Sequence, residues 1–92
     1  MGKQYYIYLL TNPTNTVIYT GVTNNLIRRV YEHRHHKGSS FTSRYNLVKL
    51  VHYEVFDNPV FAIEREKQIK GGSRIVKEKL IKTNNPNYDD LY

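Results

Sequence analysis

The strongest constraint on how this chain can fold is a change of hydrophobic period near residue 24. Before it, residues 5–11 (YYIYLLT) and Thr16 to Thr20 (TVIYT) are rich in aromatic and β-branched side chains, the composition of strands. Asn12-Pro13-Thr14-Asn15 separates them. Proline presets φ there and asparagine tolerates the left-handed region, so the two runs predict an antiparallel hairpin. After Asn24 the period becomes helical: Leu26, Ile27, Val30 and Tyr31 fall on one face. Asn24 or Asn25 is placed to cap this helix and Gly38 to end it.

The rest of the chain extends the pattern. Residues 38–46 (GSSFTSRYN) are small and polar and read as a mobile surface loop. Leu47 to Phe56 reads as a long strand, covered on both faces for most of its length. Asn58 and Pro59 are an N-cap and first-turn pair for a helix running to about Lys70, where Gly71-Gly72 stops it. Ser73 caps a last helix with an apolar stripe of Ile75, Val76 and Leu80, and residues 83–92 form an irregular tail. The expected order is β-β-α-β-α-α, a small three-stranded antiparallel sheet packed with helices in the α/β (α+β) class.

A chain of 92 residues has room for one domain and one modest core, here about residues 4–82. It cannot enclose a deep pocket, so chemistry should sit on an open face and act on something large. There is no cysteine, which removes disulfides and thiolate metal sites. No apolar run approaches the roughly 20 residues of a membrane span, and Met1 to Gln4 lack the regions of a signal peptide. The expectation is a cytoplasmic protein with no membrane partner. Fourteen Lys and Arg against eight Asp and Glu give a net charge of +6, which attracts polyanions over long range. The cations cluster at Arg28, Arg29, Arg34 and Lys37, and again from Lys67 through Lys70, Arg74 and Lys77 to Lys82.

Three sets of side chains do not fit a purely structural role. On a helical projection Ala62, Glu66 and Ile69 share one stripe, with Ile63 beside it, so a carboxylate is embedded in a packing face. Such a charge must be paired, partly wet or bound to a cation. A salt bridge to Arg29 or a neighbouring lysine is the plain structural alternative. Arg29 and His33 lie one turn apart on a helix, which favours a neutral His33 that can accept or relay a proton. His33 and His36 make one pair at metal-binding spacing but have no third ligand, so no dedicated zinc site is expected. Among nine tyrosines, Tyr8 and Tyr19 sit on paired strands, where a suitable register brings their hydroxyls together.

Tyr6-Ile7-Tyr8, then a ten-residue gap and Tyr19-Thr20-Gly21, resembles the paired motifs of the GIY-YIG nuclease superfamily. Asn25 to His33 (NLIRRVYEH) and the helical Arg65-Glu66-Lys67-Gln68-Ile69-Lys70 continue the resemblance in order, over roughly residues 4 to 88. The short single-domain, uncharacterised bacterial branch is the best match. The departures are Tyr6 in place of the first motif's glycine, Thr20 in place of the second motif's isoleucine, and Gly72 and Tyr88 where related short proteins often have tryptophan.

The resemblance implies a metal-dependent endonuclease that hydrolyses phosphodiester bonds of nucleic acid, with DNA as the expected partner and DNA repair or processing as the setting. Tyr8 and Tyr19 take the places of the motif tyrosines, Arg29 that of a phosphate-facing arginine, and His33 that of a histidine one turn later. Glu66 matches the single carboxylate that holds one Mg²⁺ or Mn²⁺. Asn85 corresponds to a polar residue near the site. Arg28, Lys37, Arg44, Tyr45, Lys70 and Arg74 would contact backbone phosphate or stack on a base. A protein partner would supply targeting. Two other readings suit the same residues: a module that binds nucleic acid without cleaving it, and a basic surface that meets an acidic protein.

Overall fold

A computed structural model describes residues 3–35 and 40–92. Its strands are β1 (Tyr5–Thr11), β2 (Ile18–Thr23) and β3 (Lys49–Phe56), and its helices are α1 (Leu26–Arg34), α2 (Ser40–Arg44), α3 (Pro59–Lys70) and α4 (Arg74–Asn84). The sheet is antiparallel, ordered β2-β1-β3. Its central strand, β1, is buried continuously from Ile7 to Thr11, which explains an unbroken apolar run in place of an alternating one.

Each face of the sheet carries its own core. On one, Ile7, Leu9 and Val51 pack with Ala62 and Ile69 of α3 and Ile81 of α4. On the other, Tyr8, Leu10 and Leu50 pack with Val30 of α1 and with Leu47. α3 lies across β1 and β2, while α4 packs on β3. Local chemistry fixes the entries to these helices. Asn25 accepts from the Arg28 N–H, Asn58 from Val60 with Pro59 in the first turn, and Ser73 from Val76.

The sheet and its three main helices follow the sequence pattern, with four corrections. β2 begins at Ile18, because the Asn12 side chain accepts from the Thr16 and Val17 N–H groups and holds them in the turn. Part of the expected 38–46 loop is α2, fastened by a buried Thr42 and followed by a buried Leu47. β3 starts at Lys49 and is covered on both faces only over Leu50–His52. It is an edge strand, and Tyr53 and Val55 are exposed. In α4, Ile75 and Val76 are 65% and 55% exposed, because the side turned inward runs through Lys77, Leu80 and Ile81. Gly38, the expected helix stop, lies outside the described residues, and His35 is the C-cap.

The tail beyond α4 has no regular element but is docked. Leu91 N–H donates to the Leu50 carbonyl at 2.8 Å, and Asp90 accepts from the Leu50 N–H and pairs with Arg34. Among the described residues no helix is long and apolar enough to cross a membrane.

Candidate active site

The register of the hairpin assembles the site. Tyr8 stands opposite Gly21 and Leu10 opposite Tyr19, so both tyrosines lie on the α1 side of the sheet as diagonal neighbours. Their ring centroids are 6.3 Å apart, and each is 5.8 Å from the His33 ring. Tyr8 lies directly over Gly21: a Cβ at that glycine would come within 2.4 Å of the tyrosine Cζ. The glycine of the second motif is therefore needed for close approach of a ring.

His33 is fully buried, and both ring nitrogens are bonded. Nε2 meets the Tyr8 hydroxyl at 3.1 Å and Nδ1 meets Thr42 Oγ1 at 3.0 Å. Burial, then the nearby Arg29 charge, lowers its pKa to about 4, so the ring is neutral at ordinary pH. A neutral imidazole donates from one nitrogen and accepts at the other. A proton entering one end of the Tyr8–His33–Thr42 chain can thus leave from the other. Burial pushes the Tyr8 phenol up to about 12, even though the nearby Arg29 guanidinium acts to lower it. Tyr8 is a protonated, fixed hydroxyl and not a base. Arg29 also pairs with Glu32 at 3.1 Å.

His33 makes stability depend on pH with a definite sign. Between about pH 6.5 and pH 4 the unfolded chain binds a proton that the folded ring refuses, so stability falls as pH drops through that window. The whole effect is on the order of 3 kcal/mol for a fully buried ring. Denaturant unfolding of wild type and His33→Gln between about pH 7.5 and about pH 4.5 checks this. The wild type is expected to lose more stability than the variant, and parallel curves would contradict the assignment.

Glu66 lies on α3, which packs on the face of the sheet that carries Ile7 and Leu9, opposite the face on which Tyr8 meets His33. It lies between the buried Ala62 and Ile69, its side chain is 14% exposed, and its one ion pair among the described residues is with Lys70, at 3.7 Å. Lys70 itself is 66% exposed, so the pair holds the carboxylate weakly. Lys70 borders a depression of about 270 Å³ that Tyr19 and Phe41 also line. Among the described residues no three His, Asp or Glu side chains converge. The single carboxylate of Glu66 is a donor of the kind that an ion such as Mg²⁺ uses when it keeps most of its waters.

The remaining predicted residues divide. Arg28 is exposed on α1. Arg44 lies over the Tyr45 ring at 5.7 Å, and both are exposed at the end of α2. Arg74 has its donors committed to the Asn15 and Thr16 carbonyls and to Glu78, so it fastens the hairpin turn. Asn85 is buried; its amide donates to Val51 and Asp89 carbonyls and accepts from the Asp89 N–H, tying the tail to β3. Lys37 and His36 lie outside the described residues. Sequence reasoning missed Thr42, which looked like one more polar loop residue, and Phe41. The i, i+4 spacing of Phe41 and Tyr45 was the available signal for a helical turn there. A larger groove of about 650 Å³, bordered by Tyr6, Tyr53 and Tyr92, contains none of the cluster.

With this fold and cluster, the chain belongs to the GIY-YIG family: the family's catalytic-domain model matches residues 4–88. It is 42% identical over 81 residues to a UPF0213 protein of Natronomonas pharaonis, covering 88% of this chain and 94% of that one. A UPF0213 protein of Syntrophus aciditrophicus is 42% identical over 85 residues, covering 91% and 95%. The solution NMR structure of a UPF0213 protein from Bacillus halodurans superposes with a TM-score of 0.60 at 29% identity, over 95% of this chain and 92% of that one.

Proposed function

We propose that this protein is an endonuclease that hydrolyses phosphodiester bonds of nucleic acid, DNA in the first instance, with one divalent metal ion held at Glu66. The observation that carries this reading is the packing of the Tyr8, Tyr19 and His33 rings into one cluster, joined by the Tyr8–His33 hydrogen bond, with the Arg29 charge beside it. The family match is to a catalytic domain, and its members are nuclease-like. The +6 charge would draw the polyanion in.

In this mechanism Arg29 contacts the scissile phosphate and stabilises the charge that grows on it. Tyr19 orients the attacking water. The water's proton passes to Tyr19 and through the Tyr8 hydroxyl to neutral His33 as the new phosphorus–oxygen bond forms and the bond to the leaving oxygen breaks, that oxygen taking a proton from solvent. The proton acceptance is aided by the substrate, because phosphate charge beside Arg29 offsets one of the two causes that lower the His33 pKa. Thr42 holds the far side of the ring. Glu66 would hold Mg²⁺ or Mn²⁺, and the bound ion would supply charge stabilisation at the phosphate and the leaving oxygen. Arg28, Lys37, Arg44, Tyr45 and Lys70 would contact the flanking backbone, and a partner protein would direct the cytoplasmic enzyme to its target in DNA repair or processing.

Arg29→Ala tests this directly. With end-labelled DNA and Mg²⁺ or Mn²⁺, the variant is expected to cleave at least about a hundredfold more slowly than wild type. Its affinity should change only a few fold and should fall steeply with salt, as phosphate contacts require. Binding without any metal-dependent cleavage by wild type would instead identify a non-cleaving module.

A further inference from the structure

We propose that the depression between β2, α2 and the start of α4 is a nucleotide slot, in which a base turned out of its stack lies on Phe41 and its phosphate meets Lys70 and Lys77. This inference rests on the nucleic-acid reading above and adds a binding site to it.

The aromatic part is built before any ligand arrives. Phe41 is 46% exposed, and its ring packs against Tyr19 at 6.1 Å and Tyr45 at 4.7 Å. Two neighbouring rings hold it, so its open face loses little freedom when a base stacks on it. Lys70 and Lys77 line the same depression, with Ile18 as an apolar wall. At about 270 Å³ the space is below the roughly 300–1,000 Å³ that encloses a drug-sized ligand. It suits one unit of a polymer that continues outside.

Thr20 adds an independent sign. It lines the depression, is 4% exposed, and its Oγ1 is buried with no hydrogen-bond partner among the described residues. An unpaired buried hydroxyl is costly, and native structures rarely keep one. Its hydroxyl has both a donor and an acceptor unused among the described residues. Because Tyr19 borders the slot, the nucleotide held would adjoin the phosphate under attack.

The chain contains no tryptophan, so Phe41→Trp places a single reporter in the slot. Without divalent metal, it would be titrated with a short oligothymidylate and with an abasic phosphodiester chain of equal length. Labelled forms of both would be followed separately by anisotropy with the wild-type protein. Oligothymidylate should quench the indole. The abasic chain should leave the emission unchanged and bind wild type roughly tenfold more weakly, since one base–aromatic stack is worth about that. Lys70→Gln with Lys77→Gln should weaken both ligands alike and reduce the salt dependence. Equal wild-type affinity for the two chains, or binding with no change in emission, would overturn the slot and leave the nucleic-acid reading standing. No binding of either chain would overturn both.

Discussion

Glu66→Ala is expected to slow metal-dependent cleavage by about a thousandfold or more while leaving the protein folded, since metal charge stabilisation is worth several kcal/mol. The second half of that expectation separates a metal ligand from a structural ion pair. Glu66 spends desolvation on a packing face and recovers little from Lys70, which is 3.7 Å away and 66% exposed. An exposed pair of that kind contributes at most about 1 kcal/mol. Alanine removes the cost along with the pair and leaves the contacts of Ala62 and Ile69 in place, so thermal stability should hold or rise slightly. Cleavage rate and unfolding midpoint, measured on the same preparations, give both numbers. A large loss of stability would assign Glu66 to the fold. Undiminished cleavage in contaminant-free protein would remove it from the site.

The second large effect is at Gly21. A β-carbon there would meet Tyr8 at 2.4 Å from Cζ, 2.5 Å from the hydroxyl oxygen and 2.9 Å from Cε1. Tyr8 is 1% exposed and boxed in by Tyr19 and His33, so it has no free space to move into. The backbone of Gly21 has no positive φ, and alanine would therefore be tolerated but for this ring. Gly21→Ala is expected to cost about 3 kcal/mol of stability through overpacking. It should also cut activity roughly a hundredfold by displacing the Tyr8 hydroxyl about an ångström from His33 and Arg29. Adding Tyr8→Leu to Gly21→Ala should restore part of the stability and none of the activity, a coupling that distant sites do not show. Additive stability losses in that cycle would mean that the glycine matters for another reason.

The parts of this architecture that were legible in the sequence are those written in local chemistry. Asn25, Asn58 and Ser73 cap their helices with their own side chains, and the Asn12–Asn15 turn closes through the Asn12 carboxamide. The buried carboxylate was visible because Ala62, Glu66 and Ile69 are spaced for one helical face, and each is at least half-buried. α2 was hidden because a five-residue helix has little propensity of its own; Thr42, bonded to His33, and Leu47, packed under α1, hold it in place. The inward side of α4 was misread because Ile75 and Val76 are apolar yet exposed, while Lys77 lies partly buried.

For the site, motif spacing pointed to Tyr8, Tyr19, Arg29 and His33, but their geometry depends on register. Pairing Tyr8 with Gly21 puts a ring over a glycine, and a one-residue slip would send Tyr8 to the opposite face. β3 also shifts register between Leu9 and Leu10, which no local pattern announces. The proton chain to Thr42 and the open face of Phe41 arise from contacts between segments remote in sequence, and only the folded structure supplies them.

Metal binding at Glu66 decides whether this carboxylate is a ligand or part of the fold. Backbone NMR signals would be followed as Mn²⁺ is added to wild type and to Glu66→Ala. Paramagnetic broadening is expected to centre on Tyr8, Tyr19, Arg29 and residue 66 in wild type, and to be lost in the variant. Broadening elsewhere or nowhere, unchanged by added oligonucleotide, would contradict a metal site there and leave Glu66 as a structural carboxylate.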